Sequence, residues 1–263
     1  MSSTINTNQS SINAQRWLAS TQSSLQTSMA RLSSGLRVNS AKDDAAGMAI
    51  ASKLEATMRG TNVGIRNAND AISMAAMADG AISSITSNLQ RMRELAVQKA
   101  SETTSKDTDA VAAIDAELTL LAGENTRVAA NTKFNSVDLL GAANATKVEL
   151  GDGSAATVDF NTSKATSTAT SAAAATVSAI DADLASWNLT RAQYGATQNQ
   201  FESIAGNLRS SSESLATARG RIIDADYAME TANLTRSQVL AQAGTAMVAQ
   251  ANQGPNGVLA LLR

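Results

Sequence analysis

The stretch that decides the fold runs from Ile180 to Met229 and reads IDADLASWNLTRAQYGATQNQFESIAGNLRSSSESLATARGRIIDADYAM. Large apolar side chains recur in it every seven residues, at Ile180, Trp187, Tyr194, Phe201, Leu208, Leu215, Ile222 and Met229. A second position of the same repeat carries Ile204, Ala218, Ala225 and Ala232. Large residues at one heptad position and mostly small ones at another are typical of a close-packed helical seam. The pattern predicts one helix of about 70 Å, with a rod core formed by Trp187, Tyr194, Phe201, Leu208, Leu215 and Ile222.

The N-terminal half supplies partner helices for this seam. Apolar residues from Ile65 to Ala96 follow alternating steps of three and four, with one slip between Ala75 and Ala78. A shorter helix follows, with an apolar face from Val111 to Val128. The run Ser40-Ala41-Lys42-Asp43 predicts a capping box at the start of the first helix. Glycines within that helix are interpreted as points of close helix approach, although they could be merely tolerated; they are Gly47, Gly60, Gly64 and Gly80.

The centre of the chain loses the helical period. Residues 134–140 are predicted to form a buried loop, and residues 162–178 are an exposed low-complexity run of Ala, Thr and Ser. Alternating residues at 147–150 and 157–160, on either side of Gly151-Asp152-Gly153-Ser154, predict a hairpin. The expected fold class is mainly α: a long antiparallel coiled-coil helical rod with paired N- and C-terminal helices and a small β-hairpin.

The two ends of the chain carry almost no charge. No Asp, Glu, Lys or Arg lies between Ser237 and Leu262, and Arg16 is the one charged residue between Met1 and Ala30. Apolar residues nevertheless recur there at helical spacing, which indicates segments that are buried against each other and against further copies. The residues that we expect to carry this polymerisation are Leu25, Leu32, Val239, Leu240, Met247, Val248, Leu259 and Leu262.

Insertion into a membrane is the alternative that these ends raise, and their sequence argues against it. A spanning helix needs roughly 20 mostly apolar residues, whereas the C-terminal segment is interrupted by several Gln and Asn residues and by Gly254-Pro255-Asn256-Gly257. The N-terminus lacks the basic region and the continuous apolar core of a secretory signal. Assembly is therefore favoured over membrane insertion.

Composition narrows the chemistry. The chain has one Pro, no Cys and no His, and its aromatic content is 3%. Without His or Cys it lacks the usual general base, the commonest metal ligand and any thiolate, so we expect no catalytic site, no cofactor and no metal. The net charge of −2 gives no long-range attraction to nucleic acid. With enzymes, metal proteins and nucleic-acid-binding proteins disfavoured, the composition favours a long helical protein that functions by packing against other proteins.

Several exact runs of residues closely resemble bacterial flagellin, the subunit of the flagellar filament. They are RLSSGLRVNSAKDDAAGMAIA at residues 31–51, LQRMRELAVQ at residues 89–98 and AQANQ at residues 249–253. The resemblance implies a short flagellin without outer domains, exported through the flagellar type III apparatus and located outside the cell in the filament. It also implies an inner terminal-helix domain (1–40 and 226–263), a helical rod domain (41–140 and 180–225) and a short hairpin and variable loop (141–179).

The same resemblance implies partners: further copies of the chain, an export chaperone, and the cap and hook-junction proteins. It also implies that a host Toll-like receptor binds around Arg91, Leu95 and Glu117, for which rod packing or a solvated face is the alternative. The chain departs from the family pattern at Thr197 and Gln200, which places a rod contact in doubt. A flagellar hook–filament junction protein and a cytoplasmic coiled-coil adaptor are the rival functions.

Overall fold

The computed structural model describes residues 7–140, 147–151, 158–159 and 175–260, without the side chains of residues 102, 103, 147, 158, 159 and 254–260. The helices are α1 (Gln9–Ser34), α2 (Ala45–Ala100), α3 (Glu102–Ser105), α4 (Thr108–Asn131), α5 (Val177–Ile223) and α6 (Tyr227–Ala260). The strands are β1 (Lys133–Phe134), β2 (Val137–Asp138), β3 (Lys147–Val148) and β4 (Val158–Asp159). The predicted mainly helical fold class is confirmed.

The chain divides into two compact units, one of residues 57–214 and one of residues 1–56 with 215–263. In the first unit, α2 and α5 are antiparallel. Arg93 Nε lies 2.7 Å from Asp181 Oδ1, and Arg191 Nε lies 2.7 Å from Asp79 Oδ1. Residue numbers thus rise along α2 as they fall along α5, which is the pairing that the heptad pattern predicts.

The core of this unit is formed by residues from α2, α4 and α5. Each fully buried large apolar side chain contributes about 1.5–3 kcal/mol before the loss of chain entropy is subtracted. Its large members that are almost completely buried are Ile82, Ile85, Leu89, Met92, Leu118, Ile180, Trp187, Tyr194 and Phe201. The apolar residues at steps of three and four along α2, and those on the apolar face of α4, therefore pack into the core, as their spacing predicts.

A hairpin replaces the loop predicted for residues 134–140. Strands β1 and β2 pair antiparallel, with Phe134 opposite Val137. The two residues between them, Asn135 and Ser136, both have positive φ, of 44° and 69°, as a type I′ turn requires. The loop prediction was wrong because Asn-Ser is a weaker turn signal than Asn-Gly. The hydroxyl of Tyr194 donates a hydrogen bond of 2.5 Å to the carbonyl of Leu139, which ties the end of this hairpin to α5.

The second hairpin was predicted and is present, with Lys147 opposite Asp159 and Val148 opposite Val158. Its turn lies outside the described residues. The first strand continues towards α2, where Asn67 Nδ2 donates a 2.8 Å hydrogen bond to the carbonyl of Glu149. Leu150 is buried at this point.

Two of the predicted close approaches in α2 involve this strand end and not another helix. A Cβ atom on Gly64 would collide with the carbonyl oxygen of Leu150, and one on Gly60 with that of Gly151. At Gly80 no described atom lies within 4 Å of the added Cβ, so this glycine is merely tolerated. Gly60 and Gly64 are therefore points of close approach, as predicted, but the element that approaches them is the end of strand β3 and not a helix.

Gly64→Ala is expected to destabilise the unit of residues 57–214. The added methyl group forces the backbone at Leu150 to move, and overpacking of this kind costs about 1–3 kcal/mol. Gly80→Ala on the same helix is the matched control and should stabilise the protein by up to about 1 kcal/mol through helix propensity alone. Urea unfolding followed by circular dichroism measures both changes. Equal stabilisation by the two substitutions would contradict the close approach.

In the unit of residues 1–56 and 215–263, two breaks between helices pair with each other. The amide of Arg37 donates to the carbonyl of Ile223 (2.6 Å), and that of Ala225 donates to the carbonyl of Gly35 (3.0 Å). Gly35 ends α1 with a φ of 70°, a conformation that favours glycine. A small core of Val38, Ala51 and Ile223 lies beside this connection.

The break after Ile223 corrects the prediction of one helix from Ile180 to Met229. The carboxylate of Asp226 caps a new helix by accepting hydrogen bonds from the amides of Ala228 and Met229. Met229 consequently belongs to α6, where it is 65% exposed and leaves the heptad seam.

The predicted capping box also shifts. The carboxylate of Asp43 accepts from the amide of Ser40 at 2.9 Å, which is half of the box. The helix itself starts later, where Asp44 Oδ1 accepts from the amide of Gly47 at 2.8 Å. Hydrogen bonds from Ser40 hold the pKa of Asp43 below its ordinary value.

Candidate assembly surface

The terminal helices α1 and α6 form an antiparallel pair. The Ser11 hydroxyl donates to Asn252 Oδ1 at 2.6 Å near one end of the pair, and Arg31 lies 3.9 Å from Glu230 near the other. Asn8 both caps α1, by accepting from the amide of Ser11, and donates to the carbonyl of Ala251. The pairing of the N- and C-terminal helices is therefore as predicted.

Small and polar side chains make up the buried interface of this pair. In α1 the buried residues are Ser11 and Ser28, and in α6 the buried residues include Glu230 and Ser237. Gly244 packs so closely that an added Cβ would lie 3.1 Å from Leu18 Cδ1. The fully buried positions of the pair are thus small or polar, and Leu18 is half-buried against Gly244.

The large apolar residues of the pair face outwards instead. Trp17 is 75% exposed, and Leu240 and Met247 are 51% and 62% exposed. They border a groove of about 560 Å³ between α1 and α6, which we call the terminal groove. Its lining residues are Ala14, Trp17, Leu18, Thr21, Leu240, Ala243, Gly244 and Met247. A contiguous apolar surface of this kind is typical of a site that another molecule covers.

The predicted polymerisation residues fall into three groups. Val239, Leu240 and Met247 are exposed, and the second and third of these line the terminal groove. The half-buried members are Leu25, Leu32 and Val248. Leu259 lies in α6 but its side chain is outside the description, and Leu262 lies outside the described residues altogether.

Trp17 is the member of this surface that sequence reasoning missed. The prediction selected aliphatic residues at helical spacing, and Trp17 lies just before Leu18 in that spacing. The signal that could have found it is rarity, because the chain has only two Trp residues. A Trp side chain has a large apolar area, so an exposed Trp in a charge-poor helix adds much to the apolar surface.

The predicted rod-core residues do not belong to one cluster. Trp187, Tyr194 and Phe201 are buried in the core of the unit of residues 57–214, and Leu208 packs against it half-buried. Ile222 packs in the other unit, beside Val38 and Ile223. Leu215 is half-buried in that same unit.

The residues implied for receptor binding differ in accessibility. Arg91 Nε lies 3.1 Å from Glu117 Oε1, and Arg91 also pairs with Glu94 at 3.1 Å. Hydrogen bonds to Glu94, then to Glu117, raise the pKa of Arg91. Leu95 is only 2% exposed and belongs to the core. The accessible surface here is thus an ion-pair network between α2 and α4.

The described part of the chain contains neither a metal-ligand cluster nor a membrane-spanning helix. Within it, no group of three or more Asp and Glu side chains is placed to hold a metal ion. None of the helices, over their described residues, is both long enough and apolar enough to cross a membrane.

Family comparisons cover both halves of the chain. The family model for the bacterial flagellin N-terminal helical region matches residues 5–145, and the model for the bacterial flagellin C-terminal helical region matches residues 177–262. The unmatched residues between them include all but the last two residues of the low-complexity run of residues 162–178.

Individual relatives align over nearly the whole chain. A flagellin of Halalkalibacterium halodurans is 39% identical, over 98% of this chain and 99% of that protein. A flagellin of Bacillus subtilis and the flagellar filament 33 kDa core protein of Treponema phagedenis are each 34% identical, over the same shares. Among solved structures, Bacillus cereus flagellin is similar, with a TM-score of 0.48 and 26% identity over 54% of this chain and 88% of that one.

Proposed function

Because the chain belongs to the flagellin family, we propose that it polymerises by burying the outward apolar faces of α1 and α6 against neighbouring subunits. Family membership makes the chain a structural subunit of the flagellar filament that self-assembles, and not an enzyme. The proposal concerns which of its surfaces carry the assembly. The observation that supports it is the terminal groove, where Trp17, Leu240 and Met247 are exposed.

Apolar side chains that stay exposed in the single subunit can be buried when subunits assemble. A fully buried Leu or Met side chain contributes about 1.5–3 kcal/mol relative to an exposed one, and the small-residue interface of α1 with α6 leaves Leu240 and Met247 outside it. Contacts between different faces of identical subunits build an open helical polymer when the rotation between subunits does not close a ring. The exposed faces of the pair are therefore suited to a filament.

Ordering of the terminal helices is part of the proposed mechanism. Neither α1 nor α6 can form an internal ion pair between successive turns, because the charged residues of α1 are both arginines and those of α6, Glu230 and Arg236, are six residues apart. Both helices therefore lack the stabilisation that such pairs give to an isolated helix. We infer that these helices gain much of their stability from neighbouring subunits. Folding and binding are then coupled during growth of the filament.

The cellular setting follows from the same proposal. A subunit of the filament functions outside the cell, so we infer export through the flagellar type III apparatus. We further propose the partners that the family resemblance implies: an export chaperone, the cap and the hook-junction proteins. The inner domain would comprise residues 1–40 and 226–263, the rod domain 41–140 and 180–225, and the variable part 141–179.

Recognition by a host Toll-like receptor is a separate proposal, centred on α2 and α4. Its support is the exposed network of Arg91 and Glu117, which a receptor could contact directly. Leu95 would act from the core, by positioning this stretch of α2. Receptor-reporter assays on Glu117→Gln test the exposed part of the surface.

Seeded polymerisation tests the main proposal. Purified subunits are mixed with short filament fragments and examined by negative-stain electron microscopy. We expect long, uniform filaments. Subunits that stay monomeric under seeding would contradict self-assembly through these helices and favour the hook–filament junction role.

A further inference from the structure

Among the residues that line the terminal groove, Met247 is the one that contains sulfur. Its side chain is 62% exposed, and it borders the groove together with Trp17 and Leu240. A methionine suits such a surface because its flexible thioether packs well against irregular apolar surroundings. Unlike the side chain of Leu240, however, it presents to solvent an atom that oxidants attack.

Exposure divides the methionines of this chain into accessible and shielded groups. The sequence contains no Cys, so no thiol competes for an oxidant, and methionine sulfoxide is a common oxidative lesion of proteins. Met92 is completely buried and Met74 nearly so, whereas Met229 and Met247 of α6 are exposed to a similar extent, at 65% and 62%. An oxidant in solution therefore reaches the two methionines of α6 before those of the core.

The reaction of a thioether with hydrogen peroxide needs no catalytic group on the protein. The sulfur atom attacks one oxygen of the peroxide, and an S–O bond forms as the O–O bond breaks. After transfer of a proton the second oxygen leaves as water. The methionine thus loses two electrons and the peroxide is reduced. The sulfoxide is polar and chiral, and methionine sulfoxide reductases return it to the thioether.

A sulfoxide at position 247 is unsuited to burial in the terminal groove. Its oxygen is a hydrogen-bond acceptor, and burial of an acceptor without a donor is unfavourable. Two side chains of the groove lining carry a donor, namely the indole of Trp17 and the hydroxyl of Thr21. The hydroxyl of Thr21 already donates to the carbonyl of Trp17 at 2.9 Å. A subunit that covers the groove would therefore bury the sulfoxide oxygen against a mainly apolar surface.

We propose that Met247 is an oxidation-sensitive site of the assembly surface, where formation of the sulfoxide weakens polymerisation and its reduction restores it. This effect rests on the proposed function, because neighbouring subunits must cover the terminal groove. The same burial shields the sulfur of Met247 from oxidants once a subunit is in the filament. Met229 is equally exposed on the same helix but does not line the groove, so its oxidation leaves polymerisation unchanged.

Substitutions separate the polarity of the sulfoxide from the other effects of peroxide. Leu, Met and Gln have similar helix propensities, so Met247→Leu keeps an apolar side chain without sulfur, and Met247→Gln puts a polar group where the sulfoxide would be. We expect Met247→Leu to polymerise like the unmodified chain, and Met247→Gln to raise the critical concentration about tenfold. Met229→Gln is the matched control and should not change it. Sedimentation of seeded filaments over a range of subunit concentrations measures all three.

Treatment with hydrogen peroxide tests the modification itself. Subunits and preformed filaments receive the same dose, catalase removes the remaining peroxide, and peptide mass spectrometry measures the sulfoxide at each methionine. In subunits, Met247 and Met229 should be oxidised at similar rates, and in filaments Met247 should be oxidised more slowly. Oxidised subunits should polymerise with a raised critical concentration, which methionine sulfoxide reductase and dithiothreitol should reverse. Oxidised Met247→Leu subunits should polymerise normally.

Any of four results would overturn the proposal: Met247 stays reduced in treated subunits, it is oxidised as fast in filaments as in subunits, Met247→Gln polymerises normally, or peroxide inhibits Met247→Leu as strongly as the unmodified chain. If untreated subunits grow on seeds, such a result rejects the role of Met247 and leaves the proposed function standing. Untreated subunits that do not grow on seeds would reject the proposed function, and the role of Met247 with it.

Discussion

Removal of residues 240–263 is expected to abolish filament formation and to leave the unit of residues 57–214 folded. The truncation deletes every residue of α6 that lines the terminal groove, including Leu240 and Met247, and removes the partner of the first half of α1. The core of the other unit contains no residue of this segment. Helical content per residue and cooperative unfolding should therefore persist while seeded growth stops.

A milder variant separates loss of the surface from loss of the helix. Leu240→Ser/Met247→Ser removes two outward apolar side chains and keeps α6. The two side chains are 51% and 62% exposed, so their burial by neighbouring subunits contributes about 2–3 kcal/mol that this variant loses. The critical concentration for polymerisation should then rise at least about tenfold. Gln242→Ser/Gln250→Ser, at two exposed positions of the same helix, is the control and should polymerise normally. Sedimentation of filaments over a range of subunit concentrations measures the difference.

The truncation would contradict the proposal if it grew filaments on seeds. Equal critical concentrations for the two double variants would do so as well, because the apolar groups would then contribute nothing beyond what the glutamines do.

Local periodicity predicted the helices but not where one of them stops. The heptad repeat continues from Ile222 to Met229, so nothing in the apolar pattern marks a boundary. The break depends on the cap at Asp226 and on pairing of Asp224 with Leu36, far away in sequence. A single-chain pattern cannot reveal such a long-range contact, although the two aspartates provide a local hint.

The candidate assembly surface was predicted in part, because the number of charged residues indicates burial but not which face is buried. The absence of charge drew attention to both ends of the chain, and it did not show which face is buried inside the helix pair. Ser11, Ser28 and Ser237 fill the interface, and serines are usually assigned to solvent by sequence reasoning. Because small residues occupy the inside, Trp17 and Met247 are left outside, which only the packing of the two helices can show.

The rod-core prediction was built on a uniform heptad, yet burial along it is uneven. Trp187, Tyr194 and Phe201 are buried in a core cluster that also contains residues of α2, α4 and the segment around Leu139, whereas Leu208 is half-buried at its edge. The repeat specifies which face of α5 points inwards. It does not specify how many neighbouring elements cover each point along that face, because those come from distant parts of the chain.

Phe201→Ala is expected to lower the free energy of unfolding of this unit by about 3–5 kcal/mol, because it removes a large side chain from a site that cannot readily collapse. Phe201 is completely buried, whereas Leu189, about three turns before it on α5, is 63% exposed. Leu189→Ala is therefore the matched control and should change stability by less than about 0.5 kcal/mol. Urea unfolding of both variants, followed at the helical circular-dichroism signal, measures the difference. Similar losses for the two variants would mean that Leu189 is buried in solution. A negligible loss for Phe201→Ala would contradict the burial of Phe201 in the core of this unit.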